Sequence, residues 1–311
     1  MPLWNSAWGL LALANLFWAG NIVLGRGVVG MVPPVALAYW RWTGAFVVTV
    51  GFAWPYLRRD AALLRRDWRM MLLLSATGVA SYNTMAYIGL TSTTALNVLL
   101  LQSAGPLIII VWVLLLFGER PSAWQSAGVL LSLMGVAMIA AHGSLDALLH
   151  LSINSGDLWV LGATVIYGIY AAIFRVRPAM HPLSFLVATM GIGSLMILPF
   201  YLWELAEGGR IHGGVQSWLA MLYIAVFPSF IAYLFFNRGI ELIGATRAAQ
   251  SWHLMPVFGS ILAVFFLGER FWLYHAIGIG LIAGGIVLAS LHNPSAAPAQ
   301  PNLKRNARAD A

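Results

Sequence analysis

Long runs of apolar residues without a charged side chain recur along this sequence of 311 residues. The run from Val98 to Phe117 and the shorter run from Val257 to Leu267 would aggregate if water surrounded them. Only 9% of the residues are charged and 60% are hydrophobic, whereas about a quarter of the residues in a soluble domain are charged. Such a chain has too few polar side chains to cover a globular surface. The sequence therefore disfavours a soluble enzyme, a nucleic-acid-binding protein and a disordered scaffold.

The apolar runs have the length of membrane-spanning helices. A bilayer core of about 30 Å needs about 20 mostly apolar residues per helix, and breaks rich in glycine, proline or charge separate ten such segments. The segments lack the sustained alternation that is typical of transmembrane β-strands. The sequence predicts an all-α integral membrane protein with ten transmembrane helices, over residues 4–25, 34–57, 69–90, 94–117, 122–141, 157–175, 183–204, 216–237, 245–267 and 272–291.

The distribution of lysine and arginine predicts how these helices are oriented. With the N-terminus in the cytoplasm, thirteen of these residues fall on the cytoplasmic side and four on the opposite side. Because basic residues collect in cytoplasmic loops, both termini are predicted to be cytoplasmic. The same rule explains the net charge of +7, so no nucleic-acid partner is needed to account for it. The residues assigned to the outer side are Arg26, Arg41, Arg210 and Arg270.

A shift of about 150 residues brings the two halves of the chain into register. It places Gly89 on Gly239 and Gly135 on Gly285 without a gap between them. Each half holds five predicted spans, an odd number, so the second half enters the membrane in the opposite orientation. Inverted repeats are typical of secondary transporters, with the substrate site near mid-membrane between the halves. The predicted units are repeats at 1–141 and 157–291, a connecting loop at 142–156 and a disordered cytoplasmic tail at 292–311.

These features resemble the drug/metabolite transporter superfamily, in its EamA-like branch. The resemblance lies in the inverted five-helix halves, in one proline in the fourth helix of each half, and in a Gly-Glu-Arg tripeptide after that helix. The opening helix, with Trp18 to Asn21 followed by Gly25 and Arg26, is also similar. The prolines, which are expected to bend their helices, are Pro106 and Pro256, and the tripeptides are Gly118-Glu119-Arg120 and Gly268-Glu269-Arg270.

The resemblance implies a secondary transporter that moves small metabolites by alternating access. Members of the family export amino acids and other metabolites, or exchange nucleotide sugars and phosphorylated sugars. Within the family, the chain is most similar to the bacterial aromatic amino acid exporters, which implies a place in the bacterial cytoplasmic membrane. Pseudosymmetry within one chain favours a pathway inside each monomer over a channel built by an oligomer.

Polar and aromatic residues inside the spans mark the predicted substrate site. Polar groups in a membrane interior are costly and usually face the axis of the helix bundle. On the ninth span Arg247, Gln250 and His253 share one face, and several tyrosines lie near mid-span, away from the membrane interface. Such a wall suits a flat or amphipathic solute that is held by stacking and neutral hydrogen bonds. The predicted substrate-binding residues are Trp18, Asn21, Tyr82, Asn83, Tyr87, Tyr167, Tyr170, Tyr233, Asn237, Gln250 and His253.

The ten acidic residues fall at span ends, in loops or in the tail. A proton-driven antiporter usually has a carboxylate in mid-membrane, so the sequence favours a facilitator for amino acids. A proton-coupled exporter of other small metabolites or drugs is the alternative, with His253 as the proton carrier. Phosphorylated substrates are disfavoured, because the spans contain almost no mid-membrane arginine and dianions need lysine or arginine.

Two further hypotheses concern the tripeptides and an enzymatic role. The tripeptides are expected to fix their turns by capping and local ion pairing rather than to act as gates. A membrane-embedded enzyme is a remote alternative, because the sequence contains neither an HxxxH pattern nor a Gly-rich nucleotide loop. Without cysteine, thiolate metal sites are excluded, and no metal or other cofactor is predicted.

Overall fold

A computed structural model of the chain describes residues 3–144, 154–243, 251 and 254–290. Within these ranges the chain forms helices and no β-strand, as the sequence predicts. Two π-helical segments, Ala76–Ser81 and Phe227–Ile231, interrupt longer helices. The α-helices are α1 (Ala7–Gly27), α2 (Pro34–Arg59), α3 (Ala61–Arg66), α4 (Trp68–Ser75), α5 (Tyr82–Leu90), α6 (Ala95–Gln102), α7 (Gly105–Phe117), α8 (Ala123–Ala140), α9 (Ser155–Ile173), α10 (Pro182–Ala206), α11 (Gly214–Val226), α12 (Ala232–Ile243), α13 (Leu254–Leu267) and α14 (Leu273–Ser290).

Several of these helices are long and apolar enough to cross a membrane. The bent pair α6 and α7 meets at 44° and adds one further span if it crosses as a unit, and α8, α13 and α14 are shorter apolar helices. Leu195, Phe265 and Leu273 are 68%, 81% and 75% exposed, which suits contact with lipid rather than water. The chain is therefore a multi-pass helical membrane protein. The five long spans are Ala7–Gly27, Pro34–Arg59, Ser155–Val176, Pro182–Ala206 and Gly214–Ile243.

Local signals in the sequence explain where helices begin and end. Ser122 and Gln125 form a capping box at the start of α8, with hydrogen bonds of 2.8 and 3.2 Å between side chain and backbone. The Thr94 hydroxyl accepts a hydrogen bond from the N–H of Asn97 at the start of α6. Gly118 ends α7 with a φ of 69°, a left-handed conformation that favours glycine. These caps provide partners for backbone groups that the helix itself leaves unpaired.

The helices up to α8 interlock with those from α9 onwards. α1 packs against α12 and α13, and correspondingly α9 packs against α5 and α7. α2 packs along α10, and α8 packs along α14. This contact pattern is therefore unchanged when α1, α2, α5, α7 and α8 are exchanged for α9, α10, α12, α13 and α14.

Carboxylates at the ends of α2 and α10 bind the opposite helix. Glu204, near the end of α10, accepts hydrogen bonds from the N–H groups of Val35 and Ala36 at the start of α2, at 3.0 and 2.7 Å. Asp60, directly after α2, accepts one from the N–H of His181, directly before α10, at 2.8 Å. The two helices are therefore antiparallel, and each carboxylate lies at the positive end of a helix dipole.

Small residues let α8 and α14 approach closely. A Cβ atom added to Gly135 of α8 would lie 2.7 Å from the backbone oxygen of Gly278 in α14. At the same interface the Ser132 hydroxyl donates a hydrogen bond to the backbone oxygen of Ile282 at 3.2 Å. Backbone atoms cannot rotate away from an added side chain, so this contact requires glycine at position 135. Close packing through small residues is a common way to join helices in lipid.

We expect Gly135→Ala to lower the free energy of unfolding by about 1–3 kcal/mol, because the added methyl group overpacks the interface. Gly280→Ala is the matched control, since nothing lies within 4 Å of a Cβ at that position of α14. Thermal unfolding of both variants in detergent checks the prediction. Equal melting temperatures for the two variants would contradict this account of the interface.

Candidate functional site

Eight of the predicted substrate-binding residues form one connected group inside the helix bundle. They lie on α1, α5, α9 and α12, so helices from both halves of the chain contribute. The helix packing described above brings these four helices together. The group comprises Trp18, Asn21, Tyr82, Asn83, Tyr87, Tyr167, Tyr170 and Tyr233.

Arg41 lies at the centre of a buried hydrogen-bond network, here called the central polar cluster. Its Nε donates to the Ser229 hydroxyl at 2.9 Å, and its Nη1 donates to Asn83 Oδ1 at 2.7 Å and to the Tyr87 hydroxyl at 2.9 Å. The Tyr87 hydroxyl in turn donates to Asn21 Oδ1 at 2.6 Å. All five side chains are buried. The cluster therefore holds a cation in a fixed position by neutral partners from three helical segments.

The sequence prediction counted Arg41 with the basic residues of the outer side, but its side chain lies inside the helix bundle and not in a loop. Arg41 follows Pro34, the first residue of α2, by seven residues, which is about two helical turns. Its side chain is only 4% exposed. The expectation of almost no arginine inside the spans therefore fails at this position. The signal that could have found it was available, since Pro33-Pro34 marks the helix start and Arg41 is the first charge after it.

Four tyrosines next to the central polar cluster form a second feature, here called the tyrosine wall: Tyr82, Tyr167, Tyr170 and Tyr233. The rings of Tyr82 and Tyr167 are 4.6 Å apart, and those of Tyr167 and Tyr170 are 5.4 Å apart. Tyr233 packs edge-on against Trp18 at 5.6 Å. The four side chains lie deep among the helices yet keep some accessible surface. None of the four side chains is therefore fully enclosed by packing.

Both π-helical segments lie directly beside site residues. The segment Ala76–Ser81 precedes Tyr82, and the segment Phe227–Ile231 contains Ser229 and precedes Tyr233. In the second segment the backbone oxygen of Pro228 accepts a hydrogen bond from Trp18 Nε1 at 2.9 Å. π-segments often occur at functional sites, because they change the direction in which the following side chains point.

Gly78 shows why the first π-segment needs a small residue. A Cβ atom added there would collide with the ring of Tyr170. The backbone of the segment therefore lies directly against this ring of the tyrosine wall. Any larger residue at position 78 would displace Tyr170 from its present position.

Of the other predicted substrate-binding residues, the structure describes only Asn237, which is not part of this group. Asn237 lies one turn beyond Tyr233 on α12 and is half-buried, and within the described ranges its side chain makes no hydrogen bond. Gln250 and His253, with Arg247, fall outside the described residues. Pro106 is the second residue of α7, close to the 44° bend between α6 and α7. Pro256 lies in the first turn of α13.

The glutamates of the two Gly-Glu-Arg tripeptides bind the opposite half of the chain instead of pairing locally. Glu119 accepts a hydrogen bond from Arg175 Nη2 at 2.5 Å. This hydrogen bond holds the pKa of Glu119 below its usual value, so the pair is ionised at neutral pH. Glu269 accepts hydrogen bonds from the N–H groups of Ala95 and Leu96 at 2.8 and 2.9 Å. The expectation of local ion pairing is therefore wrong, because each carboxylate faces a helix end of the other half.

The turns themselves follow the predicted pattern. Gly118 and Gly268 both adopt left-handed conformations, with φ of 69° and 65°. Arg120 and Arg270 are exposed, and neither forms an ion pair with another described residue. The residues of each tripeptide therefore have different roles. The glycine allows the chain to turn, and the glutamate binds a residue of the other half.

A cavity of about 360 Å³ opens at the end of the bundle that holds Glu269. Arg26, Thr94 and Glu269 are among its lining residues. Arg26 Nη1 donates to the backbone oxygen of Leu90 at 2.6 Å, and no ion pair joins it to a described carboxylate. The end at which Arg175 and Glu119 are bonded also has a cavity, of about 530 Å³, with Arg66 and Arg177 among its lining residues. The two ends therefore differ in whether the arginine and the glutamate are paired, not in whether a cavity is present.

A second polar cluster lies near the same end, and it joins the starts of α6, α9 and α14. Asp157 is fully buried and accepts hydrogen bonds from the Thr93 hydroxyl at 2.5 Å and from Asn97 Nδ2 at 3.5 Å. His275 Nδ1 accepts the N–H of Trp272, so His275 Nε2 donates to Asn97 Oδ1 at 3.0 Å. Asp157 is at a span end, as predicted, yet it is enclosed rather than exposed. Within the described ranges, no three His, Asp or Glu side chains are placed to hold a metal ion.

Comparisons with known proteins agree with this architecture. The uncharacterized transporter YyaM of Bacillus subtilis is 27% identical over 285 residues, which cover 89% of this chain and 90% of that protein. The "Probable terminal-alkyne amino-acid exporter" of Streptantibioticus cattleyicolor is 26% identical over 277 residues, which cover 86% of this chain and 88% of that protein. A solved crystal structure with 22% identity covers 92% of this chain and 98% of its own, with a TM-score of 0.61, and so shares the fold.

The sequence model of one protein family matches two segments of the chain, residues 6–141 and 154–291. The two segments contain all the helices from α1 to α14. Together with the relatives named as transporters, this match confirms the resemblance inferred from the sequence. The chain belongs to the EamA-like transporter family.

Proposed function

We propose that this protein exports amino acids, aromatic or other neutral ones, across the bacterial cytoplasmic membrane by facilitated diffusion. The observation that carries the proposal is the central polar cluster beside the tyrosine wall, inside a helical membrane bundle. Flat aromatic faces and fixed hydrogen-bonding groups suit a small amphipathic solute. The similarity to a protein named as a terminal-alkyne amino-acid exporter supports the amino-acid class.

The arrangement in two inverted five-helix repeats, with both termini in the cytoplasm, is part of the proposal. Two observations support it. The main contacts between the halves, those of α1 with α12 and α13, of α9 with α5 and α7, of α2 with α10 and of α8 with α14, are unchanged when the halves are exchanged. The two π-segments end at Ser81 and Ile231, 150 residues apart, which is the shift that relates the halves in sequence. A site between such repeats is where secondary transporters bind their substrates.

Alternating access is supported by the difference between the two ends of the bundle. Arg175 and Glu119 are bonded at one end, whereas at the other end Arg26 and Glu269 line one cavity without forming an ion pair. The repeat shift relates Arg26 to Arg175 and Glu119 to Glu269. We infer that the Arg26–Glu269 pair forms when the Arg175–Glu119 pair breaks, so that the substrate site faces one side at a time.

Facilitated diffusion is supported by the chemistry of the site. Among the described residues, the central polar cluster and the tyrosine wall contain no carboxylate. A proton-coupled mechanism usually relies on such a group within the membrane. Asp157, the fully buried carboxylate, lies instead in the second polar cluster.

We expect labelled aromatic amino acids to leave preloaded liposomes that contain the purified protein, without any ion gradient. Tyr167→Ala should slow this efflux about three- to tenfold, because it removes one aromatic face of the tyrosine wall. Phe200→Ala is the control, since Phe200 is 58% exposed towards the lipid and should leave efflux unchanged. Efflux that begins only when a pH gradient is imposed would replace facilitated diffusion with proton coupling.

The Arg175–Glu119 pair is tested by chemical labelling. The chain has no cysteine, so Ile173→Cys introduces a single reactive thiol at a buried position two residues before Arg175. Adding Glu119→Gln should increase the rate of maleimide labelling several-fold, because the end of the bundle opens more often. Since the pKa of Glu119 is lowered, acidification should act like Glu119→Gln only when the pH falls through that lowered pKa.

Glu207→Gln serves as the control for this experiment. Glu207 is exposed and lies directly after α10, at the opposite end of the bundle from Glu119. It should leave the labelling rate of Ile173→Cys unchanged. Identical labelling rates with and without Glu119→Gln would show that the pair does not hold this end closed.

A further inference from the structure

We propose that Arg41 binds the carboxylate of the substrate, and that the protein requires a free carboxylate but not an amino group. This inference rests on the proposed transport function, and it adds a class of substrates. It identifies the cargo as compounds with one carboxylate and an aromatic body, which include amino acids but are not limited to them.

The charge of Arg41 is the first step of the argument. A buried guanidinium is costly unless an anion compensates it. Arg41 is 4% exposed, and no carboxylate among the described residues lies within ion-pair distance of it. Its hydrogen-bond partners Asn83, Tyr87 and Ser229 are all neutral. The described residues therefore supply no anion to compensate this charge, and an anionic ligand that enters the site would do so.

The second step is the number of donors that remain. A guanidinium has five N–H donors. Nε and Nη1 supply the three hydrogen bonds of the central polar cluster, and within the described ranges Nη2 makes none. Nη2 is also absent from the fully enclosed polar atoms without a partner, so it keeps some accessible surface. The Trp42 ring covers one face of the guanidinium at 4.6 Å, which leaves the Nη2 edge for an anion.

The third step concerns the rest of the ligand. Tyr82 and Tyr233 lie close enough to Arg41 to interact with its charge. A carboxylate bound at Nη2 would therefore have the tyrosine wall beside it, which suits an aromatic body. A single arginine with neutral neighbours compensates one negative charge, so a carboxylate fits better than a phosphate dianion.

The fourth step explains why the amino group is not required. An ammonium group is best held by a carboxylate, and the described part of the site contains none. The amide oxygens of Asn21 and Asn83 already accept hydrogen bonds from Tyr87 and Arg41. The site therefore has a strong partner for one end of an amino acid and only weak partners for the other.

The experiment uses the full-length protein in liposomes and compares competitors of labelled phenylalanine efflux. We expect 3-phenylpropionate, which lacks the amine, to compete about as well as phenylalanine. Phenylalanine amide, which lacks the carboxylate, should compete at least about tenfold less well, since a hydrogen bond to a charged group is lost. Phenyl phosphate should also compete weakly, and preference for it over 3-phenylpropionate would overturn the carboxylate assignment.

Variants of Arg41 provide the direct test. Arg41→Gln should weaken competition by 3-phenylpropionate about ten- to hundredfold, and Arg41→Lys should restore part of it because it keeps the positive charge. Arg59→Gln is the matched control on the same helix, since the Arg59 side chain is 68% exposed. Unchanged competition in Arg41→Gln would overturn the proposal.

A binding measurement separates this proposal from the transport function. 3-Phenylpropionate should raise the melting temperature of the detergent-purified wild type, and this rise should be lost in Arg41→Gln and kept in Arg59→Gln. A rise that depends on Arg41 without any amino acid efflux would support the binding site and overturn the proposed transport function. Amino acid efflux with no rise, or with the same rise in Arg41→Gln, would leave transport standing and overturn the role of Arg41.

Discussion

A polar group buried in a lipid bilayer has no water to bind, so it needs a partner within the protein. In this chain several of these partners come from the other half of the sequence. Glu204 binds the start of α2, and Glu269 binds the start of α6. Arg41 of α2 is held in part by Ser229, which precedes α12. The need to satisfy these groups therefore joins the halves at the ends and at the centre, and the candidate substrate site lies where they meet.

The two π-segments bring backbone and side-chain groups to the site that a regular α-helix would not direct there. A regular helix uses its backbone groups internally and points its side chains in fixed directions. The segment Phe227–Ile231 turns Pro228 O towards Trp18 and Ser229 towards Arg41. The segment Ala76–Ser81 lies against Tyr170, with Gly78 at the contact. Local distortion of the helix is thus concentrated where side chains from several helices must converge.

The sequence predicts the helical class and most of the residues that meet in the candidate site, because apolar length and helix spacing are properties of single segments. Prediction from the sequence fails where the position of a side chain depends on how deeply it is buried in the bundle, or on a partner from another part of the chain. A hydropathy average hides a single arginine, so Arg41 was counted among the basic residues of the outer side and not expected in the interior. Asp157 was correctly placed at a span end, but its burial depends on Thr93 and Asn97. Spacing along α7 cannot show that Glu119 binds Arg175 rather than Arg120.

The fixed charge of Arg41 also determines how the membrane potential acts on the proposed transport cycle. With a zwitterionic amino acid, both the loaded and the empty site carry one positive charge, so a full cycle moves no net charge. With a simple carboxylate, the loaded site is neutral and the empty site returns as a cation, so each cycle moves one negative charge outward. An inside-negative potential contributes about 2.3 kcal/mol per charge for each 100 mV. It follows that one site would act as a facilitator for amino acids and as a voltage-driven exporter for carboxylates without an amine.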